Sequence, residues 1–254
     1  MTSALLLATF PALSQTDQAT PPPDTQQQVP TFRVNVVGRT ATAVNWHNRS
    51  SWTKVDFQGS DLMPQVTGTA RVRSYSGRIE VQTSLKKIGD PQQFGKEYLT
   101  YVLWAVTPEG RSQNLGEIVR NDDGNTPEQS FTTDLQAFGL IVTAEPYYAV
   151  TQPSNLVVAE NIIRKDTVGA TEPINVRYEL IQRGGYITAP AAYQPILLDR
   201  KLPLDFYEGM NAVRIAADND ADKYAPEAYN RAVQLLQQAQ DYASRKKIET
   251  KPIS

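Results

Sequence analysis

Few side chains in this sequence are suited to catalysis. The chain has no cysteine and one histidine, His47. The absence of cysteine excludes disulfides, thiol nucleophiles and thiolate zinc sites, and a catalytic triad or a histidine metal site would depend on His47 alone. Trp46 and Asn48 flank it, which favours a surface position at a strand end. Acid–base chemistry would therefore require two Asp or Glu carboxylates brought together by the fold, and a hydrolase of that kind stays open as a hypothesis.

Two motifs with catalytic or metal-binding spacing favour a structural interpretation. Ser51–Lys54 and Ser84–Lys87 match the Ser-x-x-Lys pattern of penicillin-recognising enzymes, but both lie on or beside predicted strands, whereas that chemistry needs a helix start. The alternating acids of Asp218–Asp222 have the spacing of a calcium loop. Its sixth position is Lys223 rather than glycine, and its twelfth is Tyr229 rather than glutamate. We therefore predict no catalytic, cofactor or metal residues.

Tyrosines are the candidate ligand contacts. Tyrosine rings stack on sugars when several are exposed together, so a carbohydrate platform is one interpretation. The competing interpretation is that these are half-buried strand residues. The candidates are Tyr147, Tyr148, Tyr186 and Tyr193, with Tyr75 as a further member of the set.

Composition and charge limit the partners. The 254 residues are 40% hydrophobic and 20% charged, with a formal net charge of −2 and a pI of about 5.6. This balance permits a packed core and offers no overall positive field for nucleic acid or anionic lipid. We expect no nucleic-acid partner. We also expect no transmembrane span, because the N-terminal apolar run is too short to cross a bilayer.

The first thirty residues have the features of an export signal and a linker. Ala4–Phe10 is apolar, and Ala12–Ser14 places small residues where a signal peptidase cleaves, so residues 1–14 are predicted to be a signal peptide. No Lys or Arg precedes the apolar run, which departs from the usual pattern. Residues 15–30 are polar and rich in Pro and Gln, which predicts a disordered tether. The protein is therefore expected to be exported.

Residues 31–190 are typical of a β-sandwich of the immunoglobulin- or fibronectin-like kind. Apolar and polar residues alternate from Phe32 onward, and turn residues separate about ten short segments. Val102–Val106 is apolar throughout, so we expect a central strand covered on both faces, ending in a turn at Thr107–Gly110. The later strands are predicted at Arg111–Val119, Gln129–Asp134, Phe138–Ala144, Tyr147–Thr151, Leu156–Ile163 and Ile174–Gln182.

A helical period begins after a connector at residues 191–203. A first helix is predicted from Leu204 until the acidic break at Asp218–Asp222. A second runs from Pro226 to about Lys246, with its proline suitably in the first turn. Together they are expected to form an antiparallel hairpin over residues 204–248, followed by a tail at 249–254. The predicted apolar face of the first helix consists of Phe206, Met210, Val213 and Ala217.

Several longer segments carry a family resemblance. The longest is Phe94–Arg111, with the sequence FGKEYLTYVLWAVTPEGR. Others are Lys54–Phe57, Leu62–Pro64, Asn114–Glu117, Thr133–Leu140 and Val142–Tyr147. Together they resemble bacterial cell-envelope proteins of the OmpA family, over roughly Val36–Lys247. Ala221–Pro226 and the stripe after it are similar to the short helical domain that precedes the OmpA-like domain in such proteins.

The resemblance implies a non-catalytic structural or interaction module, located in the periplasm or associated with the outer membrane. Its partners would be cell-envelope proteins or cell-wall glycans. The peptidoglycan-binding OmpA-like domain has no counterpart in these 254 residues, so peptidoglycan is an expected partner only if that domain follows them. A carbohydrate-binding or adhesion module that uses exposed tyrosines is the alternative.

Overall fold

The order of elements agrees with a mainly β chain that ends in a helical region. A computed structural model describes residues 34–37, 41–174, 178–181, 194–199 and 201–244. The predicted signal peptide, linker and tail lie outside these ranges. The strands are β1 (Val34–Val37), β2 (Ala41–Asn45), β3 (Thr53–Gly59), β4 (Thr67–Tyr75), β5 (Arg78–Lys86), β6 (Thr100–Val106), β7 (Ser112–Glu117), β8 (Gln129–Thr133), β9 (Ala137–Glu145), β10 (Val157–Ile162), β11 (Ala170–Ile174) and β12 (Tyr178–Ile181). The helices are α1 (Leu204–Asp218), α2 (Ala221–Tyr224) and α3 (Pro226–Ser244), with a short 3-10 helix at Pro91–Phe94.

Ten of the described strands form one antiparallel sheet, and β1 pairs separately with β12. The sheet runs β7-β6-β9-β10-β3-β4-β5-β8, with β2 and β11 attached at the start of β9. Side-chain hydrogen bonds join the two ends of that order. Thr133 Oγ1 donates to Gln113 Oε1 at 2.6 Å, and Gln129 Nε2 donates to the Glu117 carbonyl at 3.0 Å. The sheet is therefore nearly barrel-shaped.

Strand β6 separates two buried clusters, which confirms that it is central and covered on both faces. Tyr101, Leu103 and Ala105 face the large core inside the sheet. The side chains that alternate with them face a smaller outer cluster, which Val150 and the half-buried Tyr147 help to cover. The residues of β6 in that outer cluster are Val102, Trp104 and Val106.

One predicted strand is wrong. Tyr147–Thr151 forms bends and a turn, because its carbonyls bind a side chain in place of a neighbouring strand. Asn114 Nδ2 donates to the carbonyls of Tyr148 and Val150, each at 2.8 Å. Of the predicted strand Ile174–Gln182, the structure describes Ile174 at the end of β11 and Tyr178–Ile181 as β12, and the other residues lie outside the described ranges. The apolar residues Tyr147 and Val150 of the Tyr147–Thr151 loop thus cover the outer face of the sheet without forming a strand of it.

Helix α1 begins at Leu204 as predicted, but the face that it buries is different. The predicted apolar residues Phe206, Met210 and Val213 are half-buried, and Ala217 is exposed. The buried residues of α1 are Tyr207, Glu208, Asn211 and Ile215. The sheet-facing side of α1 is therefore largely polar, while the apolar side faces α3. Among the described residues, no helix combines the length and the hydropathy needed to span a bilayer.

Candidate functional site

Helix α1 is fixed to one end of the sheet by buried polar contacts. Asn211 is fully buried, and its Nδ2 donates to the carbonyls of Glu97 and Pro146 at 2.7 and 2.8 Å. Arg214 in turn donates to Asn211 Oδ1 at 2.6 Å. Glu97 precedes β6 and Pro146 follows β9. One amide thus joins the helix to two chain segments at the same end of the sheet.

A β-bulge places Glu117 at this end. Leu103 pairs with Gly116, but Trp104 pairs with Asn114, so Leu115 is the extra residue of β7. Residues directly opposite each other share a face of the sheet. Asn114 and Glu117 are three residues apart and would alternate to opposite faces without the bulge. With it, both lie on the outer face, where α1 and the Pro146 loop pack.

Three carboxylates meet between this face and α1. Carboxylate oxygens of Glu117, Asp205 and Glu208 all lie within 4.8 Å of one another. Asp205 and Glu208 are three residues apart in the first turns of α1, so they share one side of the helix. Glu208 is 2% exposed, Glu117 is half-buried and Asp205 is exposed. Thr100 Oγ1 donates to Glu117 Oε1 at 2.5 Å.

Burial in this cluster raises the pKa of Glu117 and Glu208. Burial, followed by the charges of Glu117 and Asp205, raises the pKa of Glu208 to about 9, although the Tyr148 backbone acts in the opposite direction. Burial also raises the pKa of Glu117, while the hydrogen bond from Thr100 opposes that rise. Neither oxygen of Glu208 has a hydrogen-bond partner of ordinary geometry among the described residues. At neutral pH the cluster therefore needs either a bound proton or a cation.

Glu145, on the same outer face, has its partners within the protein. Trp104 Nε1 donates to Thr143 Oγ1 at 2.8 Å, and Thr143 donates to Glu145 Oε1 through a short hydrogen bond. The Ser154 backbone N–H also donates to Glu145 Oε1, at 2.7 Å. This network satisfies a buried carboxylate by ordinary hydrogen bonding. Glu208 therefore stands apart from its buried neighbour.

A second feature is an apolar groove between α1 and α3, with a volume of about 350 Å³. Asp205 lies both in its wall and in the carboxylate cluster. No residue of α3 is fully buried, and Leu235 on the groove wall is 56% exposed. The other lining residues are Pro203, Phe206, Gly209, Ala212, Val213, Ala232, Leu236 and Ala239.

The predicted tyrosine contacts do not assemble among the described residues. Tyr147 is half-buried against the outer cluster, and Tyr148 is 44% exposed. Tyr186 and Tyr193 lie outside the described ranges. Tyr75 is exposed at the end of β4, with its ring 5.0 Å from the Arg73 guanidinium. No ring-to-ring contact joins two of the described candidates.

The other motifs take up structural positions. His47 is exposed, and its Nδ1 lies 3.2 Å from Gln136 Oε1. Lys54 lies in β3 and Ser84 in β5, so neither Ser-x-x-Lys segment starts a helix. Asp220, which lies between α1 and α2, pairs with Lys223 of α2 at 2.7 Å. These positions agree with the structural interpretation of each motif.

Sequence reasoning missed the three carboxylates as a group. The available signals were Gly116, a marker of a bulge within a strand, and the i, i+3 acids Asp205 and Glu208 in the first turns of a helix. Comparison of the chain with protein-family models, curated proteins and solved structures found no match.

Proposed function

We propose that the chain is a non-catalytic, exported structural module of the bacterial cell envelope that assembles through its helices. Export is supported by the signal-like residues 1–14 and the tether at 15–30, and the envelope by the OmpA-family resemblance. In this proposal the sheet is an immunoglobulin- or fibronectin-like sandwich and the helices form an antiparallel hairpin. The observation that carries assembly is the open apolar groove between α1 and α3.

The groove has the form of a helix-binding surface. Small residues such as Gly209, Ala212 and Ala232 lie along it, and Phe206 and Leu235 provide larger walls. Small residues permit close approach of a helix, and larger ones hold its side chains in place. The apolar positions of α3 also repeat with alternating steps of three and four, as in a coiled-coil seam. These positions are Ala228, Ala232, Leu235, Ala239 and Tyr242.

The proposed occupant is α3 of a second copy. Helix α3 supplies part of the groove wall, and it also carries the exposed apolar side chains Leu235 and Tyr242 that would fill a matching groove. A surface that provides both the groove and the group that enters it is self-complementary, which is the requirement of a two-fold symmetric dimer. Pairing would remove these side chains from water.

Sedimentation velocity from micromolar to submillimolar concentrations tests this assembly. The chain should form a reversible dimer. Leu235→Glu should weaken dimerisation at least tenfold, since it places a charge in an apolar interface. Asn230→Glu adds the same charge to a different face of α3, where Asn230 is exposed, and should leave it unchanged. A chain that stays monomeric throughout, or equal effects of the two variants, would rule out the second copy as occupant.

Cell fractionation tests the location separately. The protein should appear in the periplasmic or outer-membrane fraction, shortened by the 14 residues of the predicted signal. A full-length product confined to the cytoplasm would refute export. Because fractionation does not depend on dimerisation, the two parts of the proposal can fail independently.

The geometry favours a structural role over hydrolysis. Two carboxylates do come together, as the hydrolase hypothesis requires. However, Glu208 is 2% exposed and Glu117 is half-buried beneath α1, which leaves only Asp205 open to a substrate.

For the carbohydrate alternative, Tyr148 and Tyr75 are the exposed rings among the described candidates. Tryptophan quenching with cell-wall fragments is the corresponding test.

A further inference from the structure

We propose that Glu117, Asp205 and Glu208 bind one divalent cation of the size of calcium, which fastens α1 to the sheet. The site would join the end of β7 to the first turns of α1. This inference does not depend on the proposed assembly.

The donor set and its spacing suit calcium. All three ligands are carboxylates, which are the oxygen donors preferred by hard divalent cations. Two oxygens bound to one Ca²⁺ at 2.3–2.6 Å lie at most about 4.6–5.2 Å apart. The oxygens of the cluster all lie within 4.8 Å of one another, a separation that a cation of this size can span. Mg²⁺ binds at 2.0–2.1 Å, which limits the same separation to about 4.2 Å and demands stricter geometry.

An independent observation at Glu208 indicates a missing ligand. Both carboxylate oxygens are enclosed, and neither has a hydrogen-bond donor of ordinary geometry among the described residues; their polar contacts are the Tyr148 backbone and the Glu117 carboxyl group, which is itself an acid. Other buried polar groups nearby are satisfied: Asn211 by two carbonyls, Tyr207 by the backbone of Asp199, and Glu145 by Thr143 and Ser154. Buried polar atoms are rarely left without partners, so a group that binds at Glu208 is expected.

No described Lys or Arg neutralises these carboxylates. None of the three carboxylates forms an ion pair with another described residue. Asp205 is exposed and provides a route for a cation from solvent, while Glu117 is oriented by the hydroxyl of Thr100. The cation would supply the charge that the protein does not, and it would order the start of α1 against the sheet.

Calorimetric titration with CaCl₂ tests the site in the full chain after EDTA treatment and dialysis. One Ca²⁺ should bind per chain, and saturating Ca²⁺ should raise Tm by several degrees through preferential binding to the folded state. Glu208→Gln and Asp205→Asn should each lower the affinity at least tenfold. The exposed residue Asp205 provides a variant with little risk to folding. MgCl₂ should bind more weakly.

Glu227→Gln is the matched control, because Glu227 is an exposed acid in the first turn of α3. It should leave both the stoichiometry and the affinity unchanged. Absence of binding heat and of any Tm shift at millimolar Ca²⁺ would overturn the proposal and assign the neutralisation of the cluster to a proton. Equal losses in Glu227→Gln and Glu208→Gln would also overturn it, since they would indicate nonspecific surface binding.

Discussion

Replacing Glu208 by Gln should remove a pH dependence of stability that arises at the contact between α1 and the sheet. The pKa of Glu208 in the folded state is about 9, against an ordinary value of 4.5. Between these two pH values the folded state holds about one proton more than the unfolded state. The stability that this extra proton on Glu208 contributes is therefore complete below pH 4.5 and is lost as the pH rises through 9.

The magnitude follows from proton linkage. Because the folded state holds one extra proton, the free energy of unfolding falls by about 1.4 kcal/mol for each unit by which the pH rises. From pH 5 to pH 8 the loss amounts to about 4 kcal/mol, which is an upper value because Glu117, whose pKa is also raised, shares the charge. The neutral amide of Gln has no such proton to lose. Glu208→Gln should therefore gain stability relative to the wild type as the pH rises.

Urea unfolding followed by circular dichroism, in EDTA at several pH values from 5 to 8, measures this difference. EDTA removes divalent cations that would otherwise stabilise the ionised cluster. Glu227→Gln serves as the control and should follow the wild-type profile, because Glu227 is exposed. Parallel profiles for the wild type and Glu208→Gln, within about 1 kcal/mol, would refute the assignment of a raised pKa to Glu208.

Three further substitutions test the structure around the site. Trp104→Ala should cost about 3–5 kcal/mol in urea unfolding, because the side chain is fully buried; a loss below about 1 kcal/mol would contradict that burial. Asn211→Ala should leave the buried carbonyls of Glu97 and Pro146 unpaired, which should destabilise the fold by about 1–3 kcal/mol for each carbonyl. Amide hydrogen exchange should become faster mainly in α1. Unchanged exchange in α1 would argue against an anchoring role for Asn211. Gly116→Ala should destabilise by about 1–3 kcal/mol, because φ is 139° and the new Cβ would lie 3.0 Å from the Phe131 ring. A neutral Gly116→Ala would argue against the bulge.

The strands could be predicted wherever side-chain alternation decides burial. Val55 and Phe57 in β3, Val72 in β4 and Val81 in β5 all point into the core as their spacing indicates. The continuous apolar run of β6 indicated coverage on both faces, and both clusters are present. Alternation does not reveal which strands become neighbours. The order of the sheet, and the meeting of β7 with β8, therefore came only from the structure.

The carboxylate cluster could not be predicted because two local rules fail there. The bulge at Leu115 reverses the alternation, so Glu117 lies on the same face as Asn114. Helix α1 buries Glu208 and Asn211 against the sheet, although such side chains are usually exposed. A pattern search for an apolar helix face selects the side of Phe206, which faces the groove. Departures of this kind are expected at sites where polar groups are retained for a purpose.

Chemical cross-linking through introduced cysteines tests the central claim, assembly through the groove, most directly. The chain has no cysteine of its own, so each variant carries a single thiol. Leu235→Cys places that thiol on the groove wall, and Asn230→Cys places it on a different face of the same exposed helix. A short bifunctional maleimide should link Leu235→Cys into a covalent dimer and leave Asn230→Cys monomeric. No dimer from Leu235→Cys, or equal dimer from both variants, would contradict assembly through this groove.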